Sequence, residues 1–406
     1  MSEFPLQAGH PALAREAVRD LRFSAIRDVA NAGIGRDDIL PFWFGEPDLP
    51  TPAFICAAAQ AALTAGDTFY TPNLGEPALR EALAHSLSRL HQPVSAERIV
   101  VTSSGVSALM LTAQALYSPG DRVVVVTPVW PNLVEIPRIL GVQVEEVALE
   151  LRPDEQGIAR WHLSLETLLH ALTPDCRALV INSPNNPSGW VMPAAQQAQI
   201  LAHCRRHGIW IVSDEVYSRI VYDGPPDRCA PSFLDIADPN DRLVVINSFS
   251  KSWLMTGWRL GWVVAPPALM HELGKLIEYN SSCAPGFVQK AGLVAVNQGE
   301  ALRQETVARF QASRDYLYQR LGSLAEVEVP LPQGAMYLFF RVHGLNDSLT
   351  FCKALVAEAG VGLAPGSAFG EAGEGCLRWC IASASKKLEQ GADRFSRFLR
   401  HSAWRS

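Results

Sequence analysis

The apolar positions of this chain fall into two regimes. From about residue 98, short β-branched runs alternate with helix-like stretches, the pattern of an α/β domain built on a largely parallel sheet. The expected strands are Arg98 to Val101, Arg122 to Val126, Val142 to Val147, Ala178 to Ile181, Ile209 to Val212, Leu243 to Ile246 and Gly261 to Ala265. Between them Ser107 to Tyr117, Asn132 to Leu140 and Pro193 to His207 are long enough to cross over a sheet, so a sheet of about seven strands follows.

Beyond Pro285 the rhythm lengthens. Helices over Gly286 to Gln298 and Glu300 to Leu321 precede a strand at Met336 to Val342, a helix at Leu349 to Ala359 and a strand at Leu377 to Ile381, which reads as a second, α+β domain. A helix over about Pro11 to Ala32 is expected to pack against this C-terminal part. No internal repeat or low-complexity linker breaks the pattern.

Composition narrows the function classes. With 406 residues, 48% hydrophobic and 19% charged, the chain has the makings of a large buried core. A net charge of -6 without a basic stripe argues against nucleic acid as a main partner. No apolar run approaches the roughly 18 residues of a membrane span, and MSEFPLQAGH is not a secretory leader, so a cytoplasmic protein is expected. The eight cysteines are scattered without a CxxC pair, which favours reduced thiols. His203 and His207 share a helix face, but no third metal ligand is evident, and a surface helix capped by Gly208 is the expectation.

The chemistry concentrates in SFSKSWLMTGWRLGW, residues 248–262. A lone lysine in a Ser-rich turn is ordinarily solvated. Here, however, Lys251 follows an apolar strand and precedes the run Trp258 to Ala265, which is too apolar for an exposed loop. Partial desolvation would lower its pKa and suit it to imine formation. Ser248 and Arg259 can both grip a phosphate, through a hydroxyl and a planar fork of donors. An imine beside a phosphate suggests pyridoxal 5'-phosphate (PLP).

Ligands of α/β sheets bind beyond the carboxyl ends of the strands, and several of those ends are polar. In TSSGVSAL, Ser104, Gly105 and Val106 would open a helix, either as an anion site or as an ordinary cap. In TPVWPN, Trp130 could lie against an aromatic ligand or belong to the core. In NSPNNPSG, Asn186 could donate to a phenolate oxygen or simply form the turn. In SDEVYSRI, Asp214 ends a strand with Tyr217 close behind. A carboxylate there either meets a cation, such as a protonated pyridine nitrogen, or caps a helix.

Taken together, SFSK with Arg259, NNPSG, SDEVY, GEPDLPTP, YTPNLGEPALREAL and CLRWCIA resemble, in order and spacing, the class I/II aminotransferases of the aspartate aminotransferase fold (fold type I). The resemblance spans nearly the whole chain. It implies a PLP-dependent transferase fold. Residues 46–290 would form a large α/β domain, with a seven-stranded mostly parallel sheet between helices. Residues 1–45 and 291–406 would form a smaller α+β domain.

The resemblance also implies roles. Lys251 matches the lysine of the internal aldimine, Asp214 the partner of the pyridine nitrogen, and Asn186 with Tyr217 the pair bonded to the cofactor's 3'-oxygen. Trp130 matches the aromatic that stacks on the ring. Ser104, Gly105, Val106, Ser248 and Arg259 match the phosphate site. Tyr70 matches a tyrosine that reaches the neighbouring subunit's phosphate, which implies a homodimer with shared sites. Arg378 matches the clasp of the substrate α-carboxylate, near Gly45, with Trp130 and Asn186 also on the substrate side. A fork of that shape suits a carboxylate, and Trp43 and Phe44 could wall the side-chain pocket.

The chain also departs from the family. Ser104 stands where a Gly is common, and Val106 where a hydroxylated or basic residue is common. The segment IEYNSSCAP, residues 277–285, lacks the arginine of members strict for dicarboxylic substrates. That leans the expectation towards broad or neutral amino donors, with an aspartate-like activity left open through Lys275 or an arginine elsewhere. Ping-pong transamination through Lys251 is the expected reaction, with β-elimination of the C–S lyase kind as the alternative on the same fold. A ligand-sensing regulator is disfavoured, because the stretch before Gly45 offers no basic recognition helix.

Overall fold

The computed structural model describes residues 14–224, 227 and 229–401. A seven-stranded sheet forms its centre. Across the sheet the strands run Ile99–Thr102, Gly261–Val264, Leu243–Ser248, Trp210–Asp214, Cys176–Asn182, Arg122–Thr127 and Gln143–Ala148. Only Gly261–Val264 runs antiparallel to its neighbours.

Burial on both faces explains the near-continuous apolar runs of these strands. Val123, Val125, Val180, Val212 and Ile246 point to one face, where the helices Gly105–Leu116, Asn132–Ile139 and Pro267–Asn280 cover them. Val124, Val126, Ile181, Ile211 and Val245 point to the other face, whose core continues into the C-terminal part.

Several strands run past their apolar stretches. Asn182 pairs with Asp214, and Asp214 with Ile246, so the ladder is completed by polar residues at its last rungs. A backbone group buried at that depth must be bonded, whatever side chain it carries.

The second, smaller domain holds a sheet of Val327–Glu328, Tyr337–Val342, Cys376–Cys380 and Ala364–Pro365, backed by the long helix Glu300–Gly322 and the helix Ser385–His401. The strand Leu40–Pro41 joins this part through Val361–Gly362. The helix expected over Leu349 to Ala359 is regular over Ser348–Ala354, widens over Leu355–Ala359 and ends at left-handed Gly360.

The N-terminal helix requires a correction. Instead of one element over about Pro11 to Ala32, there are two, Glu16–Arg19 and Ala25–Ala32, and Pro11 to Leu13 lie outside the described residues. The break has a local cause: Ser24 adopts an extended conformation and its side chain accepts from the Arg27 amide, which starts a new helix there. The second helix does pack against the C-terminal part, touching Ser348–Ala354 and Ala364–Pro365. The hairpin Glu150–Pro153 with Ala159–His162 had no counterpart in the expected elements.

His203 and His207 stack on one helix face, and His203 bonds the Leu172 carbonyl at 2.7 Å. Gly208 caps that helix in the left-handed conformation. No helix among the described residues is long and apolar enough to cross a membrane.

Candidate active site

One edge of the central sheet carries the chemistry. Five of the six parallel strands deliver their next residues there, giving Gly105, Trp130, Asn186, Tyr217 and Lys251. The antiparallel strand reverses the logic. Its start, not its end, lies at this edge, so Arg259, two residues before it, arrives beside the others. A cavity of about 450 Å³ results, lined by these residues and by Gly45, Val106, Asp214, Ser248, Tyr337 and Arg378.

Lys251 is partly buried, and its Nζ donates to the Gly45 carbonyl at 2.5 Å. Burial pulls its pKa down from 10.5 to about 8. Across from it, Asp214 is 3% exposed, and burial pushes its carboxyl up from 3.8 to about 7. The Val216 amide donates to Asp214 Oδ1 at 3.3 Å, and among the described residues no cationic side chain pairs with it. A carboxyl so placed, opening on a cavity, fits a ligand that brings its own positive charge.

Asn186 is oriented from several sides. Its side-chain oxygen accepts from Arg378 Nη1 at 3.0 Å and its backbone amide donates to Asn182 Oδ1 at 2.7 Å. The side-chain NH₂ is left to donate into the cavity. Trp130 is bound to the same turn, its amide donating to the Asn186 carbonyl at 2.8 Å. Tyr217 exchanges a hydrogen bond with Tyr337 between hydroxyls at 2.7 Å, and burial raises its pKa well above the ordinary tyrosine value.

The anion cradle is a helix N-terminus. Ser104 caps it, accepting from the Ser107 amide at 2.9 Å, while its carbonyl takes the Ala108 amide. The amides of Gly105 and Val106 have no acceptor among the described residues. Gly261 lets the neighbouring strand press against this turn, since a Cβ there would come within 2.6 Å of the Gly105 nitrogen. Ser248 lines the same corner, and so does Arg259, whose backbone is left-handed with φ 52°. Ser104 itself has φ 154° and spends its hydroxyl on the cap rather than on the cavity. The backbone amides and the Arg259 guanidinium make a donor set suited to a phosphate, which the Ser248 hydroxyl, donating here to Ser250 Oγ at 2.9 Å, joins by rotation, and with Lys251, Asp214 and Asn186 the residues fit PLP.

Arg378 is 2% exposed, in the middle of the strand Cys376–Cys380. Its guanidinium lies over the rings of Tyr337 and Phe369, at 4.6 and 4.9 Å, and also donates to the Trp43 carbonyl. Its Nε has no partner among the described residues. Gly45 is required beside it, because a Cβ at that position would stand 2.0 Å from the Tyr337 hydroxyl.

Most of the expected residues thus converge, but Ser104 only caps the turn and does not line the cavity. Tyr70 does not line this cavity; its side chain is 90% exposed. Phe44 lines the cavity whereas Trp43 packs beneath it, and Lys275 pairs with Glu272 on a surface helix away from it. Sequence reasoning missed Tyr337, Asn132 and Arg27, all of which reach the cavity. Among the described residues no cluster of side chains has the make-up of a metal site.

Known proteins match this chain over most of its length. The family model for aminotransferase class I and II matches residues 37–395. The chain is 32% identical to a probable N-acetyl-LL-diaminopimelate aminotransferase of Bacillus subtilis, over 95% of this chain and 96% of that protein. It is 32% identical to an aromatic-amino-acid aminotransferase of Thermococcus litoralis, over 93% and 96%. Its structure resembles that of an aspartate aminotransferase from Thermotoga maritima, with a TM-score of 0.86 and 31% identity, covering 95% of this chain and all of that one.

Proposed function

The chain belongs to the class I and II aminotransferases, which are PLP-dependent transaminases, and on that premise we propose that it moves the amino group of an α-amino acid to a 2-oxo acid by a ping-pong route centred on Lys251. The observation that carries the reading is the meeting, in one cavity, of a partly buried lysine whose amine has a lowered pKa and a buried guanidinium fork.

When bound, PLP supplies an aldehyde to which the lysine can be joined and a protonated pyridine ring that takes up an electron pair from the substrate Cα. The chain's residues do the rest. Lys251 would anchor the cofactor, and once released from it Nζ would take the proton from the substrate Cα and pass it, on the same face, to the cofactor carbon that had held the lysine. Asp214 would keep the ring nitrogen protonated, Asn186 and Tyr217 would hold the 3'-oxygen, and Trp130 would lie against the ring. Gly105, Val106, Ser248 and Arg259 hold the phosphate, with Ser104 shaping the turn. Arg378 grips the substrate α-carboxylate beside Gly45, which fixes the bond that breaks.

The proposal includes a homodimer with shared sites. It rests on Tyr70 and its neighbour Phe69, which stand 90% and 83% exposed and cannot serve their own cavity in this arrangement. Sedimentation of the loaded enzyme tests the association.

The reaction itself is tested by a single half-reaction. Loaded enzyme given an α-amino acid and no 2-oxo acid should release one equivalent of 2-oxo acid per site and then stop. Continuous release of ammonia and pyruvate would instead make it a β-eliminating lyase.

A further inference from the structure

The charged side chains lining the cavity are Arg27, Asp214, Lys251, Arg259 and Arg378. Four of them have a role in the proposed reaction. Arg27 has none. Its guanidinium lies over the Phe44 ring, 5.2 Å from the centroid, and among the described residues no carboxylate pairs with it. The side chains around it on the cavity wall, including Ile26, Leu109 and Asn132, are neutral.

Resting on the transaminase reading above, we propose that Arg27 receives the side-chain carboxylate of the substrate, so that the preferred donors and acceptors are short amino dicarboxylic acids and their 2-oxo acids. A guanidinium stacked on an aromatic face keeps its in-plane donors free, which is the posture that suits a carboxylate.

The two forks are carried by one packed unit. The helix Ala25–Ala32 rests on Ser348–Ala354, to which Asp28 is tied through Lys353 at 2.7 Å, and on Ala364–Pro365. Ala364 pairs directly with Arg378. Arg27 and Arg378 thus stand on elements that pack together, and both line the one cavity, so a ligand with a carboxylate at each end would engage both. The carbonyl of Trp43 accepts from Arg378, and the next residue, Phe44, carries the ring under Arg27. This cation comes from the N-terminal helix of the same chain, a different element from residues 277–285, where no arginine stands.

The test compares wild type with Arg27→Ala and Arg27→Lys, all loaded with PLP. Succinate and propionate serve as binding probes, since both offer one carboxylate to Arg378 but only succinate offers a second. Wild type should bind succinate at least about tenfold more tightly than propionate, the scale of a hydrogen bond to a charged group. That preference should vanish in Arg27→Ala and return in part in Arg27→Lys. The ratio of kcat/KM for aspartate over alanine should fall at least about tenfold in Arg27→Ala.

Equal affinities for the two probes in wild type, or ratios unchanged in Arg27→Ala, overturn the assignment even if transamination proceeds normally. An Arg27-dependent succinate preference in an enzyme that transaminates no donor would sustain the binding assignment and overturn the reaction instead.

Discussion

Arg378 Nη1 donates to Asn186 Oδ1 at 3.0 Å, so one guanidinium both faces the substrate side of the cavity and fixes which end of the Asn186 amide points inward. A lysine at 378 keeps the charge but loses the planar fork and one of the two simultaneous contacts. Arg378→Lys should lower kcat/KM by about a hundredfold, on the scale of a charged, buried hydrogen-bonded contact. It should also weaken PLP retention several-fold, because Asn186 is no longer oriented. Dialysis of the loaded variant measures the second effect, and full retention of cofactor would separate the two roles.

Lys251 is expected to behave as an amine with a pKa of about 8, brought down from 10.5 by burial. Only the neutral amine attacks an aldehyde, so the rate at which cofactor-free enzyme takes up PLP should rise with pH through a midpoint near that value. A midpoint near the ordinary lysine value would mean that burial is not felt. Lys251→Ala should cut turnover by about a thousandfold or more, since anchor and proton carrier are lost together.

Much of this site was legible in the sequence for a physical reason. Lys251, Asn186 and Trp130 each follow a strand within a few residues and Asp214 ends one, and strand order delivers them to one edge without further information. Tyr337 was not legible. Its role depends on the approach of the Gly45 turn to a strand of the smaller domain, a contact that no local pattern encodes. Arg27 was hidden because a cation on an amphipathic helix reads as a solvated face until the helix is placed over a cavity. The break at Ser24 was missed because apolar spacing continues across it, and the cap decides against one helix.

The closeness of Gly45 and Tyr337 makes a double-mutant test. A Cβ on residue 45 would stand 2.0 Å from the Tyr337 hydroxyl but 3.0 Å from its ring carbon Cζ. Gly45→Ala should therefore displace Tyr337, disturb the Tyr217 hydroxyl bonded to it and lower activity sharply. Tyr337→Phe removes the clashing oxygen. The double variant should be more active than Gly45→Ala alone, with a coupling of about 1 kcal/mol or more. Simple additivity in kcat/KM would show that the clash is relieved elsewhere.

Asp214 couples function to stability with a definite sign. Its carboxyl, raised by burial from 3.8 to about 7, keeps its proton in the folded chain where the unfolded chain has already lost it. The folded state of the cofactor-free protein is therefore favoured at low pH, and that advantage is lost as pH rises from about 4 through about 7. Asp214→Asn removes the titration while its Oδ1 can keep the Val216 amide. Cofactor-free Asp214→Asn should gain stability over wild type at pH 8, with an upper scale of about 4 kcal/mol, and show a smaller gain at pH 5. With PLP bound, the positive ring nitrogen favours the carboxylate, so the gain should shrink or reverse. Denaturant midpoints at the two pH values, with and without PLP, decide the matter. An Asn variant that is less stable than wild type at pH 8 without cofactor would mean that the buried carboxyl is already satisfied by the protein alone.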